Sequence, residues 1–573
     1  MSDPQGLPTL QSLWSDFDPH AGPLEEEILA TYTKDGADYK EIYFSAFVNG
    51  EKVRIYGIYA APAQAGNYPA LLHMHGGGQT VAPHWLKTWS GRGYAILSIN
   101  CHGVWPERPR YTLYPDALSQ GNHRMAGSMR QATEPSLKAC SWYIWAAVNR
   151  RALTYLGAQT QVDAERLGIF GISMGGTSVW HVALDQRVKA ACAIYGVGWN
   201  EHELYAEKFN QDKHRPKPSL AQRIWEAGMA PQAYSPHIHC PMLFLSAAND
   251  QHGNLDYVFD TMTRLPSQVP WRVAITPRFR HHIGRAEGKD LLLWMDTWLR
   301  GDGPDWPQTP TAALSLGADG VPRLEMTVDD SGPIERIDVY YNVGNSQNKT
   351  RHWRQVAPEG SAQVWRAPLP TSDIEQNLVA FANIYYQNGL ALTAPLVAAI
   401  PARLGAARAT GQKSRQIYSG EMGLDGWTTE SPGTDPNPPI PLPLRLQEGP
   451  GGRAGVALQN RYRKLLTYKI GDPDWRGPNG AQLGFKVYAE QAQQIAAKVA
   501  DQVVSHQAKD YLAAVELTGQ GDWQQVLLAA EAFATAEGDT LAGWEDLAAL
   551  WILPADGKAF AKGALIFSDF EWI

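Results

Sequence analysis

The stretch Gly171-Ile172-Ser173-Met174-Gly175-Gly176 constrains this chain more than any other. It follows the apolar run Leu167-Gly168-Ile169-Phe170 and precedes residues 177–184, which read as helix. A serine with glycine two positions away on either side, set between strand and helix, fits a turn too tight for larger flanking residues. Such a turn lifts the serine Oγ out of a sheet and sets it at a helix N-terminus. There the dipole and free N–H groups favour developing negative charge.

The surrounding pattern agrees with that turn. Residues 53–60, 69–75, 94–100, 166–170, 188–195, 241–246 and 271–276 read as strands, and residues 135–156 and 289–299 as helices. Strands separated by helical crossovers predict an α/β fold with a doubly wound, mostly parallel sheet over residues 1–303. A Gly/Pro-rich linker at 301–310 then ends this grammar. Residues 324–328, 337–341, 362–365 and 378–386 are strand-like without intervening helices. Gln387-Asn388-Gly389 supplies a hairpin turn, so a small Ig-like β-sandwich is expected over 308–402. From 405 to 573, a proline-rich stretch at 431–443 precedes strand candidates at 483–488, 511–517, 523–528, 549–553 and 564–572. That order is similar to the jelly-roll modules found beside carbohydrate-active enzymes. There is no internal repeat.

At 573 residues, the length predicts several domains. A net charge of -8, without any basic block, argues against nucleic acid as a partner. No apolar run approaches a membrane span, so no membrane partner is expected. The start lacks the charged and apolar regions of an export signal. The expectation is a soluble chain, cytoplasmic, or exported if its start was processed. Assembly into a homo-oligomer is compatible with the sequence. Cys101, Cys140, Cys192 and Cys240 show no metal-ligand spacing and are expected as buried thiols.

A serine nucleophile needs a base, an orienting acid and an oxyanion hole. Asp250, after the strand 241–246, and His281 or His282, after the strand 271–276, stand at strand C-terminal ends, where such sheets place their ligands. They occur in the order serine, acid, histidine. Position after the strand favours His281 over His282, and Asp250 over Asp256. His75-Gly76-Gly77-Gly78 follows the strand 69–75, and its glycines allow backbone N–H groups close to a substrate carbonyl. Gly77 is the preferred donor, with Gly76 and Gly78 as alternatives, and Met174 N–H is the second. His73 and His75 alternate like zinc ligands but lack a third partner, so no metal and no organic cofactor are expected. The long segment 101–134 carries Trp105, Tyr111, Tyr114, His123 and Arg124, which are candidates for substrate contact. The segment 198–236 is a candidate rim.

The motifs at 75–78, 171–176, 246–250 (Ser-Ala-Ala-Asn-Asp) and 278–283 (Arg-Phe-Arg-His-His-Ile) make residues 40–300 resemble the α/β-hydrolase family. Within it they resemble the acetyl xylan esterase and dienelactone hydrolase branch. Dienelactone hydrolases use a cysteine nucleophile, so Ser173 points to the esterases. Glucuronoyl esterases carry arginine after the serine, where this chain has Met174. The resemblance implies a serine carboxylesterase that removes short acyl groups, acetyl foremost, from a carbohydrate. The substrate would be a small ester or an acylated carbohydrate. Two other readings accompany it. One is a prolyl-oligopeptidase-like serine peptidase, whose turn also ends in Gly-Gly; that family's preceding β-propeller does not fit the forty residues before the first strands. The other is a glycan-binding or assembly protein with an inactive hydrolase domain. Trp427, Trp475, Trp523, Trp544 and Trp551 are candidates for sugar platforms or core, with core preferred.

Overall fold

The computed structural model describes residues 6–105, 107–198, 218–429, 444–501 and 509–573. The proline-rich stretch 431–443 and most of the first half of the 198–236 excursion lie outside the described residues.

Nine strands form the first sheet: β1 (Glu27–Lys34), β2 (Ala37–Val48), β3 (Glu51–Pro62), β4 (Tyr68–Met74), β5 (Ala95–Asn100), β6 (Val162–Ile172), β7 (Val188–Ile194), β8 (Met242–Ala247) and β9 (Trp271–Thr276). Their order is β1-β2-β3-β5-β4-β6-β7-β8-β9. The pairs from β1 to β5 are antiparallel, and those from β5 through β4 to β9 are parallel. The parallel strands are buried on both faces. In β4, Ala70, Leu72 and Met74 join the core on one side, while Leu71 joins the core on the other. This explains why they read as unbroken apolar runs. β1 and β2 both lie outside the sequence-based strand set. β1 is an edge strand, largely exposed, with no buried residue to impose an alternation, whereas β2 is largely buried with an alternation broken near its middle.

The helix expected from residue 135 begins at Ser141, with the Cys140 thiol accepting the Tyr143 N–H, and runs to Gly157. All four cysteines are buried free thiols.

Beyond the linker, β10 (Thr311–Leu316), β11 (Pro322–Thr327), β12 (Ile334–Val343), β13 (Arg354–Val356), β14 (Glu359–Ser361), β15 (Val364–Pro368), β16 (Leu378–Tyr386) and β17 (Ala391–Ala399) form two four-stranded antiparallel sheets, β10-β11-β15-β14 and β13-β12-β16-β17. They share one apolar core that includes Leu324, Val339, Ala380 and Leu392. The β16–β17 hairpin turns at Gly389, whose φ of 91° suits a residue without Cβ.

The C-terminal region contains a six-stranded and a five-stranded antiparallel sheet around a core that includes Phe485, Phe567 and Leu550. Among its tryptophans, Trp427, Trp544 and Trp551 are buried. Among the described residues, no helix is long and apolar enough to cross a membrane.

Candidate active site

Ser173 sits between the end of β6 and the helix Met174–Val182 with φ 57° and ψ −117°, a conformation that is costly for a residue with a side chain. Neighbouring backbone holds it there. Its N–H donates to the Ile194 carbonyl at 2.8 Å, and its carbonyl accepts from Thr177 N–H at 3.0 Å. The glycines of the motif are steric requirements. A Cβ at Gly171 would drive into the Gly175 carbonyl, one at Gly175 into the Met74 carbonyl, and one at Gly176 into the Ile194 carbonyl.

Asp250 and His281 meet as expected from chain order. His281 Nδ1 lies 2.5 Å from Asp250 Oδ2, and both side chains are buried. The other carboxylate oxygen accepts the His252 N–H at 2.6 Å and also the Gly253 N–H. Burial pushes the Asp250 carboxyl up. The His281 imidazole and the Gly253 N–H outweigh that effect and hold it below the usual carboxylate range. His282 is turned elsewhere, its ring stacked on Phe279 at 6.2 Å. Asp256 is bound bidentately by Arg351, and neither side chain is exposed.

The sequence reasoning missed His252. Its Nδ1 lies 3.5 Å from Ser173 Oγ, and its Nε2 lies 2.9 Å from Thr177 Oγ1. Its ring is nearly parallel to that of His281, with centroids 6.1 Å apart. Tyr195 covers His281 from another side at 4.1 Å. Burial lowers the His252 pKa to about 4, so the imidazole is neutral near neutrality. The signal was present as a histidine two residues after the acid in a short post-strand loop.

The glycine loop lies beside the serine. A Cβ on Gly77 would approach Met174 Sδ at 2.7 Å, and one on Gly76 would approach the Ile172 carbonyl at 3.2 Å. Gly76 N–H is donated to Gln79 Oε1 at 2.9 Å and is thus already engaged. Behind this loop, His75, Cys101 and His102 bring ligand-type atoms within 4.8 Å of one another. Hydrogen bonding already engages both nitrogens of His75. Nδ1 lies 2.8 Å from the Gly76 carbonyl, and Nε2 accepts the Cys101 N–H at 3.1 Å. A metal at Nε2 would displace the bond that ties the glycine loop to β5.

The five candidate substrate residues divide into two groups. Trp105 stands 3.2 Å from the position of a Cβ on Gly78, with the Arg124 guanidinium 4.0 Å above its ring. His123 comes near Gly77. These three flank the glycine loop. Tyr114 instead packs against Gly103 and Gly121 and donates to the Cys101 carbonyl at 2.7 Å. The Tyr111 carbonyl accepts from the Tyr43 hydroxyl at 3.0 Å. Tyr114 thus supports the loop from within, and Tyr111 joins β2 through its backbone.

Sheet order, elbow and buried Asp–His pair define an α/β-hydrolase fold of the serine hydrolase class. The family described as Acetyl xylan esterase (AXE1) matches residues 26–197, and the Prolyl oligopeptidase family matches residues 150–301. Residues 26–197 thus resemble acetyl xylan esterases and residues 150–301 resemble prolyl oligopeptidases, both on an α/β-hydrolase fold. Dipeptidyl-peptidase 5 of Porphyromonas gingivalis is 25% identical over 266 residues, 41% of this chain and 34% of that protein. The chain therefore spans about a third of the length of this curated relative. Among solved structures, acetyl xylan esterase 1 from Thermoanaerobacterium sp. JW/SL YS485 is 17% identical, with 50% of this chain and 92% of that one covered at a TM-score of 0.39. The acetyl xylan esterase from Paenibacillus sp. R4 is 17% identical, with 51% and 96% covered at a TM-score of 0.41.

Proposed function

We propose that this protein hydrolyses short-chain carboxylic esters, acetyl esters of carbohydrates foremost, through an acyl-enzyme on Ser173. The observation that carries the reading is a buried Asp250–His281 pair whose ring stacks 6.1 Å from His252, the imidazole that contacts Oγ of the strained Ser173. Asp250 holds the Nδ1–H tautomer of His281, which leaves Nε2 to take the Ser173 proton and return it to the leaving alcohol. The carbonyl oxygen becomes an oxyanion facing Gly77 N–H and Met174 N–H. Water then attacks the acyl-enzyme by the same base and regenerates the serine. His252, neutral and in contact with Ser173 Oγ, orients the hydroxyl. Trp105, His123 and Arg124 contribute the wall against which the acyl or sugar group rests. His282 is the alternative base and Gly76 the alternative donor, and their contacts to Phe279 and Gln79 make both weaker candidates.

Turnover of p-nitrophenyl acetate, butyrate and octanoate by wild type and Ser173→Ala tests the reading. Acetate release from acetylated oligosaccharides extends the test to the sugar. The expected result is turnover that falls with acyl length and vanishes in the variant. Folded wild type without ester turnover would sink the proposal. The match of residues 150–301 to the prolyl oligopeptidase family favours one second reading, a serine peptidase. Dipeptidyl p-nitroanilides cleaved faster than acetyl esters would put it first.

A further inference from the structure

The loop between β12 and β13 of the sandwich, residues 345–353, is sewn into the hydrolase at the acid. Asn348 Nδ2 donates to the backbone carbonyl of Asp250 itself at 2.9 Å. In return, Asn249 Nδ2 donates to the Asn348 and Arg351 carbonyls at 3.1 and 2.9 Å. Arg351 grips Asp256 at the start of the helix Leu255–Met262, which follows the acid loop. The base loop is held as well, since Arg278 Nε donates to the Trp353 carbonyl at 3.0 Å, and Asn249 N–H reaches the Phe279 carbonyl at 2.9 Å. Asn348, Arg351 and Trp353 are 2%, 1% and 0% exposed, so these bonds are made away from water, where geometry is held firmly. The loop is itself rigid. Arg351 also donates to the Asn345 and Ser346 carbonyls, and Asn342 Nδ2 donates to the His352 carbonyl at 3.0 Å. Trp353 and Phe381 belong to the same apolar cluster as the hydrolase core.

We infer that the sandwich is a working part of the active site, and that Asn348 and Arg351 are positioning residues that hold Asp250 in register with His281. This rests on the serine-hydrolase reading above. The acid loop has its own turn bonds, with the His252 and Gly253 N–H groups on Asp250 Oδ1, but the Asp250 carbonyl and the Asn249 side chain are tied to the sandwich, and small misplacements of a catalytic group are expensive in rate. The sandwich supplies the restraints from outside the hydrolase fold. It acts through Asp250 rather than on the substrate, so its loss should appear in the chemical step and not in substrate affinity.

The test uses the full chain and two readouts. One is the rate at which a fluorophosphonate probe labels Ser173, which reports serine activation whatever the natural substrate. The other is kcat and KM on p-nitrophenyl acetate. Asn348→Leu removes the donor to Asp250, while Tyr386→Phe removes a sandwich hydroxyl bonded to the Asp329 carbonyl, remote from the acid loop. Below both melting transitions, Asn348→Leu is expected to lose about tenfold or more in labelling and kcat with KM within about twofold. Tyr386→Phe is expected to match wild type. Arg351→Lys keeps a charge beside Asp256 while giving up the fork, and it provides the same measurement should Asn348→Leu fail to fold. Its labelling is expected between the two. Unchanged labelling in the folded loop variants overturns the inference, and so does an equal loss in Tyr386→Phe. Wild type that the probe does not label overturns the serine-hydrolase reading, and this inference with it.

Discussion

The two β units attach to their neighbours in different ways. The sandwich meets the hydrolase through the buried Arg351–Asp256 pair and through side-chain-to-backbone bonds at the acid loop, the base loop and β9, where Thr393 Oγ1 accepts the Ile275 N–H and Asn383 Nδ2 donates to the Ile275 carbonyl. The C-terminal unit meets the sandwich through a buried ion cluster, Arg354 with Asp472 and Asp474, and meets the hydrolase through the partly exposed pair Arg278–Asp425. The difference lies in what the contacts touch: bonds from the sandwich reach the backbone of the acid and base loops, whereas the Arg354 cluster joins the sandwich to the C-terminal unit away from both loops. The inferred positioning role accordingly falls to the sandwich, while the C-terminal unit reaches the base loop through Asp425 on Arg278.

The largest expected effect sets the floor for this comparison. Ser173→Ala should lower kcat by at least about 10⁴-fold on acetyl esters with the fold intact, measured by initial rates beside circular dichroism. His252→Ala should cost about ten- to a hundredfold, because it removes a contact to Oγ and leaves the Asp250–His281 pair in place. A loss as large as that of His281→Ala would make His252 the base instead.

Arg351→Met and Arg354→Met sharpen the contrast. Each leaves a buried carboxylate without its cation, and each should cost about 3–5 kcal/mol in chemical denaturation. Per folded molecule, only Arg351→Met should lower kcat. Equal kcat losses would erase the distinction between the two units.

Acid gives the broadest effect. Burial holds His75, His181 and His252 at about 4, against an ordinary value near 6.5, and burial with Arg130 and Arg124 does the same for His123. The unfolded chain takes up these protons first. The stability from keeping them off is complete above pH 6.5 and lost as pH falls toward 4. All but His352 and His506 of the 16 histidines precede residue 301. Proteolysis mapped by mass spectrometry at pH 7 and pH 5 should therefore show new cuts in the hydrolase before the C-terminal unit. Cuts appearing first in the C-terminal unit would contradict this.

The elbow was legible because its constraints are local: glycine at 171, 175 and 176 is demanded by backbone atoms a few residues or one strand away. Strands buried on both faces were legible as apolar runs. The exposed edge strand β1 was not, since nothing in its burial imposes a pattern. Asp250 and His281 followed from chain order and position after strands. His252 escaped because a lone histidine beside an acid has no periodicity, and its meaning lies in Ser173 and Thr177, more than seventy residues earlier.

Sequence by itself determined the hydrolase fold and marked the candidate nucleophile and the order of candidate acid and base, because turn sterics and strand burial act over short stretches of chain. Only the tertiary structure decided which histidine faces the acid, which residue touches the serine hydroxyl and where the sandwich attaches. Those answers depend on side chains from distant loops meeting in a dry interior. There, a single amide such as that of Asn348 gains direction from the absence of competing water.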